Sequence, residues 1–253
     1  KTNSSNNGYN LSLSYKRPIV DPRKCTKIYI ISFGNLSILK LFVPKLVQED
    51  LENILAYAFY DGDVDIVKYI FDLAKKNSFQ FTEQNIDIFI LHSLSQKNGY
   101  LYDYLIEQIK ALNPSIFENI KWSISYVNNA AFNNNVKAAK DITDIIFKEN
   151  PNEDFRDAFL NAVQSNSTEL CQFFIDKKVF ISFENLKEDM CRISNISKDI
   201  FPIIANNFPS DIFHDLCKKF VEQSIYYQNE YVLENVLKEL PESDNVLIKA
   251  VET

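Results

Sequence analysis

Residues 54–71 constrain the fold most, because they encode two short amphipathic helices separated by a break. In each helix the apolar residues fall at positions i, i+1, i+4 and i+5, namely Ile54, Leu55, Ala58 and Phe59, then Ile66, Val67, Ile70 and Phe71. This spacing places them in one stripe on the helix surface. The break falls at Asp61-Gly62, since glycine accepts the positive φ that ends a helix. Neither helix is long enough to be stable alone in water, so each requires neighbours of the same kind.

The rest of the sequence supplies these neighbours, because the apolar pair that opens the second helix recurs along the chain. The pair is found at Ile38-Leu39, Ile66-Val67, Leu101-Tyr102, Ala138-Ala139, Leu170-Cys171, Ile200-Phe201 and Val232-Leu233. The separations are 28, 35, 37, 32, 30 and 32 residues. A period in this range is typical of stacked repeats that bury their apolar faces against one another. The sequence therefore predicts an all-α fold made of stacked helix–turn–helix units.

A second marker has the same spacing. A short polar residue precedes each predicted first helix, at Thr82, Ser115, Asn152, Ser182, Ser210 and Ser243. Such side chains accept hydrogen bonds from the unpaired N–H groups of a helix N-terminus, so these six residues are predicted N-caps.

Residues 58–71 (A-F-Y-D-G-D-V-D-I-V-K-Y-I-F) resemble the helix–turn–helix centre of an ankyrin repeat, and residues 30–43 and 162–175 are similar to it as well. The resemblance covers seven units and implies an α-solenoid over residues 28–253. Residues 1–27 are polar, rich in Ser and Asn, and are predicted to form an extended or flexible arm. The T-P-L-H turn motif of the family is absent, which leaves a generic α-solenoid as an alternative architecture.

Composition and charge exclude several functional classes. The 34 acidic residues outnumber the 27 basic ones, and no long basic stripe is present, which argues against a nucleic-acid partner. Only 4 Gly leave little material for a phosphate-binding loop of the Rossmann or P-loop type. No apolar run is long enough to span a bilayer, so membrane insertion is not expected. The 4 widely spaced cysteines are predicted to be reduced thiols of a cytoplasmic protein.

The sequence offers no positive argument for an enzyme, a metal or a cofactor. The chain contains two histidines, and neither has the sequence context of a catalytic triad. His214-x-x-Cys217 has metal-compatible spacing but needs about two further ligands for zinc. Asp61, Asp63 and Asp65 resemble the start of a calcium loop, yet the Gly at position 6 and the Glu at position 12 of that loop are absent. We therefore expect no catalytic residues, no metal and no cofactor.

The ankyrin resemblance also implies where a partner would bind. The family meets partners on its concave face, with prominent contacts from the two residues that end the first helix. Carried over to this sequence, the candidate partner-binding residues are Phe33, Tyr60, Asp61, Gln96, Phe132, Asn133, Gln164, Tyr226 and Tyr227. Exposed aromatic residues in such positions are effective interaction anchors. The alternative is that these aromatic side chains fold back and fill gaps between irregular units.

The function expected from these observations is a non-catalytic scaffold or adaptor that holds another protein on the concave face of the array. Two other functions stay open at this point. One is a structural subunit of a large multiprotein assembly, and the other is a small-ligand-binding or enzymatic all-α domain. The expected scaffold function rests on analogy with the ankyrin family, because one fold can host many functions.

Overall fold

The fold was obtained as a computed structural model, which describes residues 36–42, 48–79, 81–97, 99–112, 114–178, 182–191, 193 and 196–240. The chain is all-α over these residues. The fourteen helices of the described part are α1 Leu36–Phe42, α2 Gln48–Asp61, α3 Val64–Lys76, α4 Glu83–Leu94, α5 Tyr100–Leu112, α6 Pro114–Glu118, α7 Ile124–Phe132, α8 Val136–Glu149, α9 Arg156–Gln164, α10 Thr168–Lys177, α11 Phe183–Met190, α12 Phe201–Asn207, α13 Ser210–Tyr226 and α14 Glu230–Glu239. The arm at residues 1–27, Phe33 and the predicted cap Ser243 lie outside the described residues.

The helices pair and stack in two rows. The first helices of successive pairs, α2, α4, α7, α9, α11 and α13, each contact the next one in this order. The second helices α8, α10 and α12 also contact one another in chain order. Within a unit, the first helix packs on the second helix that follows it, in the pairs α2–α3, α4–α5, α7–α8, α9–α10 and α13–α14. We call the first helices the first-helix row, and the second helices that follow them, α3, α5, α8, α10, α12 and α14, the second-helix row.

The recurring apolar pair lies in the first turn of α3, α5, α8, α10 and α14, as predicted, and Ile200-Phe201 spans the N-cap and first residue of α12. Ile66 and Val67 lie in the first turn of α3 and are fully buried. The equivalent pairs of α8 and α10 are fully buried as well. Burial of these side chains away from water supplies the main attraction between successive units, at about 1.5–3 kcal/mol for each large aliphatic residue.

Aromatic side chains join neighbouring units inside this core. Phe59 of α2 and Phe89 of α4 stack with their ring centroids 5.6 Å apart. Further along, the rings of Phe201 in α12 and Phe220 in α13 meet edge to face at 6.3 Å. Such aromatic pairs stabilise a core by about 0.5–1.5 kcal/mol beyond the burial of their area. The apolar core is therefore continuous from unit to unit.

The predicted N-caps are partly correct. Thr82 accepts a hydrogen bond from the backbone N–H of Asn85 and caps α4, and Ser182 accepts one from Glu184 at the start of α11. Ser115 lies inside α6, a short helix that the sequence pattern did not predict. The first helix of that unit is α7, and Ser123 precedes it.

Two further cap predictions are wrong by a few residues. Asn152 lies before the N-cap position of α9, which Phe155 occupies. Ser210 is the first residue of α13, and Pro209 stands at its N-cap position. Proline suits the start of a helix, since the N–H it lacks would have no partner within the helix.

Candidate functional site

The candidate site lies at the turns between the first and second helix of each unit, because the predicted binding residues all belong to these turns. A residue with positive φ occurs in five of these turns, at Gly62, Gly99, Asn134, Asn166 and Gln228. Only two of the five are glycine. The left-handed conformation at these positions is therefore imposed by the fold rather than by residue type alone.

Three of these turns share one hydrogen-bond pattern. The N–H of Asn135 donates to the carbonyl of Ala130, and the N–H of Asn229 donates to the carbonyl of Ser224, each at 2.8 Å. In the turn at Asn166, the N–H of Ser167 donates to the carbonyl of Ala162, also at 2.8 Å. A bond across five residues over a residue with positive φ is the Schellman motif, which satisfies the last carbonyls of a helix. The shared motif gives α7, α9 and α13 the same kind of ending.

Side chains at each turn also reach back to the preceding turn. The side chain of Gln96 donates to the carbonyl of Tyr60 at 2.9 Å, and that of Asn135 donates to the carbonyl of Ser93 at 3.5 Å. The hydroxyl of Ser165 donates to the carbonyl of Ala131 at 2.8 Å. Ser197 donates to the side chain of Asn166, and Asn229 donates to the carbonyl of Ile196 at 2.8 Å. We call this series the turn ladder. It brings the turns of the described units to one edge of the stack, which we call the turn edge.

Asn135 and Asn229 perform the same task in two different units. Each side-chain oxygen accepts a hydrogen bond from the N–H three residues later, at 3.2 Å, and so caps the following second helix. Each side-chain NH₂ group donates to a carbonyl of the previous turn. A buried amide that satisfies both neighbours orients two successive turns at once.

The predicted aromatic residues of the turn edge are exposed. Tyr60 is 54% exposed, Phe132 is 61% exposed, and Tyr226 is 80% exposed. Tyr227 is 44% exposed, and its ring meets that of Tyr226 edge to face at 4.9 Å. The alternative that these four side chains fill gaps between units is therefore wrong. Phe33, the fifth predicted aromatic residue, lies outside the described residues.

The predicted polar residues differ in how much of their side chain is available. Asp61 and Gln164 are exposed, whereas Gln96 and Asn133 are half-buried. Gln96 uses its side-chain NH₂ group in the turn ladder. The NH₂ group of Asn133 donates to the backbone and side-chain oxygens of Asn129, each at 2.9 Å. Gln96 and Asn133 therefore shape the turns, while Asp61 and Gln164 face outward.

One part of the turn edge contains exposed apolar residues that sequence reasoning missed. Ile225 is 38% exposed and Tyr231 is 44% exposed, and they flank Tyr226 and Tyr227 at the turn between α13 and α14. We call these four residues the tyrosine patch. The run of tyrosines on both sides of Gln228 is a signal that could have revealed it.

Tyr60 contacts a histidine of the next unit. The rings of Tyr60 and His92 lie edge to face, with centroids 5.6 Å apart. Burial lowers the pKa of His92 below its usual value. The imidazole is therefore neutral at physiological pH and provides an apolar neighbour for the tyrosine ring.

The described residues provide little for covalent or metal chemistry. Burial raises the pKa of Cys171 to about 12 and that of Cys217 to about 12, so both remain protonated thiols, which are poor nucleophiles. Within the described ranges, no three His, Cys, Asp or Glu side chains are grouped so that they could hold a metal ion. Asp63, considered above as part of a calcium loop, instead caps α3 by accepting from the N–H groups of Asp65 and Ile66 at 3.0 Å.

Comparison with known proteins gives no relative. No protein-family model, no curated protein and no solved structure matches the chain. Among the described helices, none has the length and apolar character needed to cross a bilayer.

Proposed function

We propose that this chain is an ankyrin-like α-solenoid that serves as a non-catalytic scaffold or adaptor, binding another protein along its turn edge. Stacked helix pairs, a left-handed residue at five of the turns and the recurring apolar pair support the repeat architecture. The free thiols of Cys171, Cys191 and Cys217 support a cytoplasmic location, where cysteines stay reduced.

The observation that carries this proposal is the row of exposed aromatic side chains at turns that are hydrogen-bonded in series. A protein surface usually keeps large aromatic residues at least half covered, whereas Tyr60, Phe132 and Tyr226 are more than half exposed. Tyrosine and phenylalanine bring a large contact area with few rotatable bonds, so burying them in an interface loses little conformational entropy. Because the turn ladder fixes the turns, the aromatic residues are held in place before a partner binds.

The experiment that tests this function compares variants of the tagged chain in affinity purification at physiological salt. We expect a stoichiometric polypeptide to be retained by the wild-type chain and to be lost with the double substitution Tyr60→Ala and Phe132→Ala. Truncating two anchor residues weakens a protein interface about tenfold or more. Tyr100→Ala is the matched control, because Tyr100 is 44% exposed but belongs to the second-helix row.

Thermal unfolding of the same variants separates binding from folding. We expect the double variant to unfold at nearly the wild-type temperature, because both side chains are mainly in solvent. A polypeptide that is retained equally by all three proteins would contradict the proposal, and so would a double variant that loses its fold.

A further inference from the structure

Lysine and arginine are distributed unevenly between the two rows of helices. α2, α4 and α7 contain neither residue, and α9 contains only Arg156. The neighbouring second helices α3, α5, α8 and α10 contain eight lysines. Arg156 is neutralised by ion pairs with Asp154 at 2.6 Å and Asp189 at 3.4 Å. The first helices of these four units therefore present almost no free positive charge.

Exposed negative charge lies on three of these four helices. Asp61 is exposed at the turn end of α2, and Asp87 and Asp157 are exposed nearer the starts of α4 and α9, whereas α7 contains no acidic residue. Around the tyrosine patch, Glu222 forms an ion pair with Lys219 at 3.2 Å, whereas Glu230 and Glu234 are exposed. Asp61 at one end of the described stack and Glu230 and Glu234 at the other therefore bring negative charge to the helices that carry exposed rings.

Lysines cover the aromatic residues of the second-helix row. The ammonium group of Lys68 lies 5.2 Å from the ring centroid of Tyr100 and 5.9 Å from that of Tyr104. Lys140 lies 5.5 Å from the centroid of Phe173, and Lys177 lies 5.6 Å from the same centroid. A cation placed over an aromatic face within about 6 Å is attracted by the ring quadrupole. This chain therefore repeatedly places a lysine over the aromatic rings of its second helices.

The turn edge has aromatic faces without such a cation. No described lysine or arginine lies over Tyr60, Phe132, Tyr226 or Tyr227. We propose that the partner supplies the missing cations: the turn edge binds a polypeptide segment rich in Lys and Arg, whose charged groups lie over these four rings. This proposal depends on the proposed scaffold function and specifies the chemistry of its partner.

Electrostatics favour a basic polypeptide segment over an acidic segment or a nucleic acid. Asp61 follows Tyr60 in the chain and Glu230 precedes Tyr231, and these exposed carboxylates attract cationic side chains and repel acidic ones. Arginine gains most, because its planar guanidinium can stack on a tyrosine ring and donate to a carboxylate at the same time. Nucleic acid would meet negative charge along the same edge.

The test is a selection from a random displayed peptide library on the immobilised wild-type chain. The selected peptides are then measured on a variant with all four rings replaced, Tyr60→Leu, Phe132→Leu, Tyr226→Leu and Tyr227→Leu, and on the control Tyr100→Leu. We expect peptides that lose binding on the fourfold variant but not on the control to be enriched in Arg and Lys relative to the input library.

Two further comparisons test the charge of the peptide and the aromatic rings of the chain separately. Replacing each arginine of a selected peptide with citrulline, its neutral isostere, should weaken binding about tenfold. Tyr226→Phe with Tyr227→Phe keeps the aromatic faces and should bind within about twofold of wild type, whereas the Leu pair should bind about fivefold to tenfold more weakly.

Three results of this selection would contradict the proposed basic partner. Ring-dependent peptides that are neutral or acidic would overturn this proposal and leave the scaffold function intact. Basic peptides that bind the fourfold variant as well as the wild type would also overturn it, since general charge attraction would then explain them. The absence of any ring-dependent peptide would count against both the basic partner and the scaffold function.

Discussion

Gly62→Ala offers the sharpest test of the turn geometry. Gly62 has φ +78°, a conformation that costs an L-residue about 1–2 kcal/mol. A Cβ atom at this position would also lie against the side-chain oxygen of Gln96 and only 2.7 Å from its Cδ atom. The side chain of Gln96 must then move away, because it is the far end of a flexible chain and yields more easily than backbone.

That movement breaks one step of the turn ladder. The hydrogen bond from Gln96 to the carbonyl of Tyr60, 2.9 Å long, contributes about 0.5–1.5 kcal/mol net. Strain and the lost bond together predict that Gly62→Ala lowers the free energy of unfolding by about 2–3 kcal/mol. Gln96→Ala alone should lower it by about 1 kcal/mol, since it removes the bond without straining the backbone.

The double variant distinguishes the two effects. Once Gln96→Ala has removed both the bond and the obstructing side chain, adding Gly62→Ala introduces only the backbone strain. The double variant should therefore be about as stable as Gly62→Ala alone, which corresponds to a coupling energy of about −1 kcal/mol. The free energy of unfolding of all four proteins is measured by urea unfolding monitored with far-ultraviolet circular dichroism.

Asn134→Ala is the matched control for this cycle. Asn134 has φ +55° and already carries a Cβ atom, so its replacement adds no contact and should change the free energy of unfolding by less than about 1 kcal/mol. The reasoning is refuted if Gly62→Ala lies within about 0.5 kcal/mol of wild type, or if the two single effects simply add.

Three other predictions concern strain, burial and thiol reactivity. Gln228→Gly should stabilise the chain by about 0.5–1 kcal/mol, because it relieves an L-residue at φ +55°, and the urea midpoint will show it. Phe174→Ala, at a fully buried position, should destabilise by about 3–5 kcal/mol, whereas Phe132→Ala at 61% exposure should change stability by under about 0.5 kcal/mol in the same assay. Peptide mapping after limited treatment with a thiol reagent should find Cys191 modified before Cys171, since burial raises the pKa of Cys171 to about 12 and shields its sulfur.

The helices and the buried face of each unit could be predicted from the sequence, because both depend on local spacing. An apolar pair such as Ile66-Val67 lies on the same face of its helix whatever the helix packs against. The position of Tyr60, Phe132 and Tyr226 at the end of a first helix could be predicted as well, but their exposure could not, because the same positions also allow the rings to fold back between units. The resemblance to ankyrin repeats and the partner remain predictions.

The turn ladder could not be predicted, because it depends on the distance between units rather than on spacing within one unit. Nothing in the sequence near Asn229 indicates that its side chain donates to the carbonyl of Ile196. The N-cap errors have a related cause. Ser115 and Ser123 are equally suitable caps by residue type, and only the extra helix α6 decides between them.

The ladder also explains how exposed aromatic residues can persist at the turns without weakening the stack. The bonds that align successive turns come from amides and hydroxyls directed at the backbone, including those of Gln96, Ser165 and Asn229. The rings of Tyr60 and Phe132 belong to the same turns and donate or accept none of these bonds. In the proposed scaffold, stacking and recognition therefore rest on different side chains of one turn: the amides keep the units in register, and a change of partner would require changes only in the exposed residues.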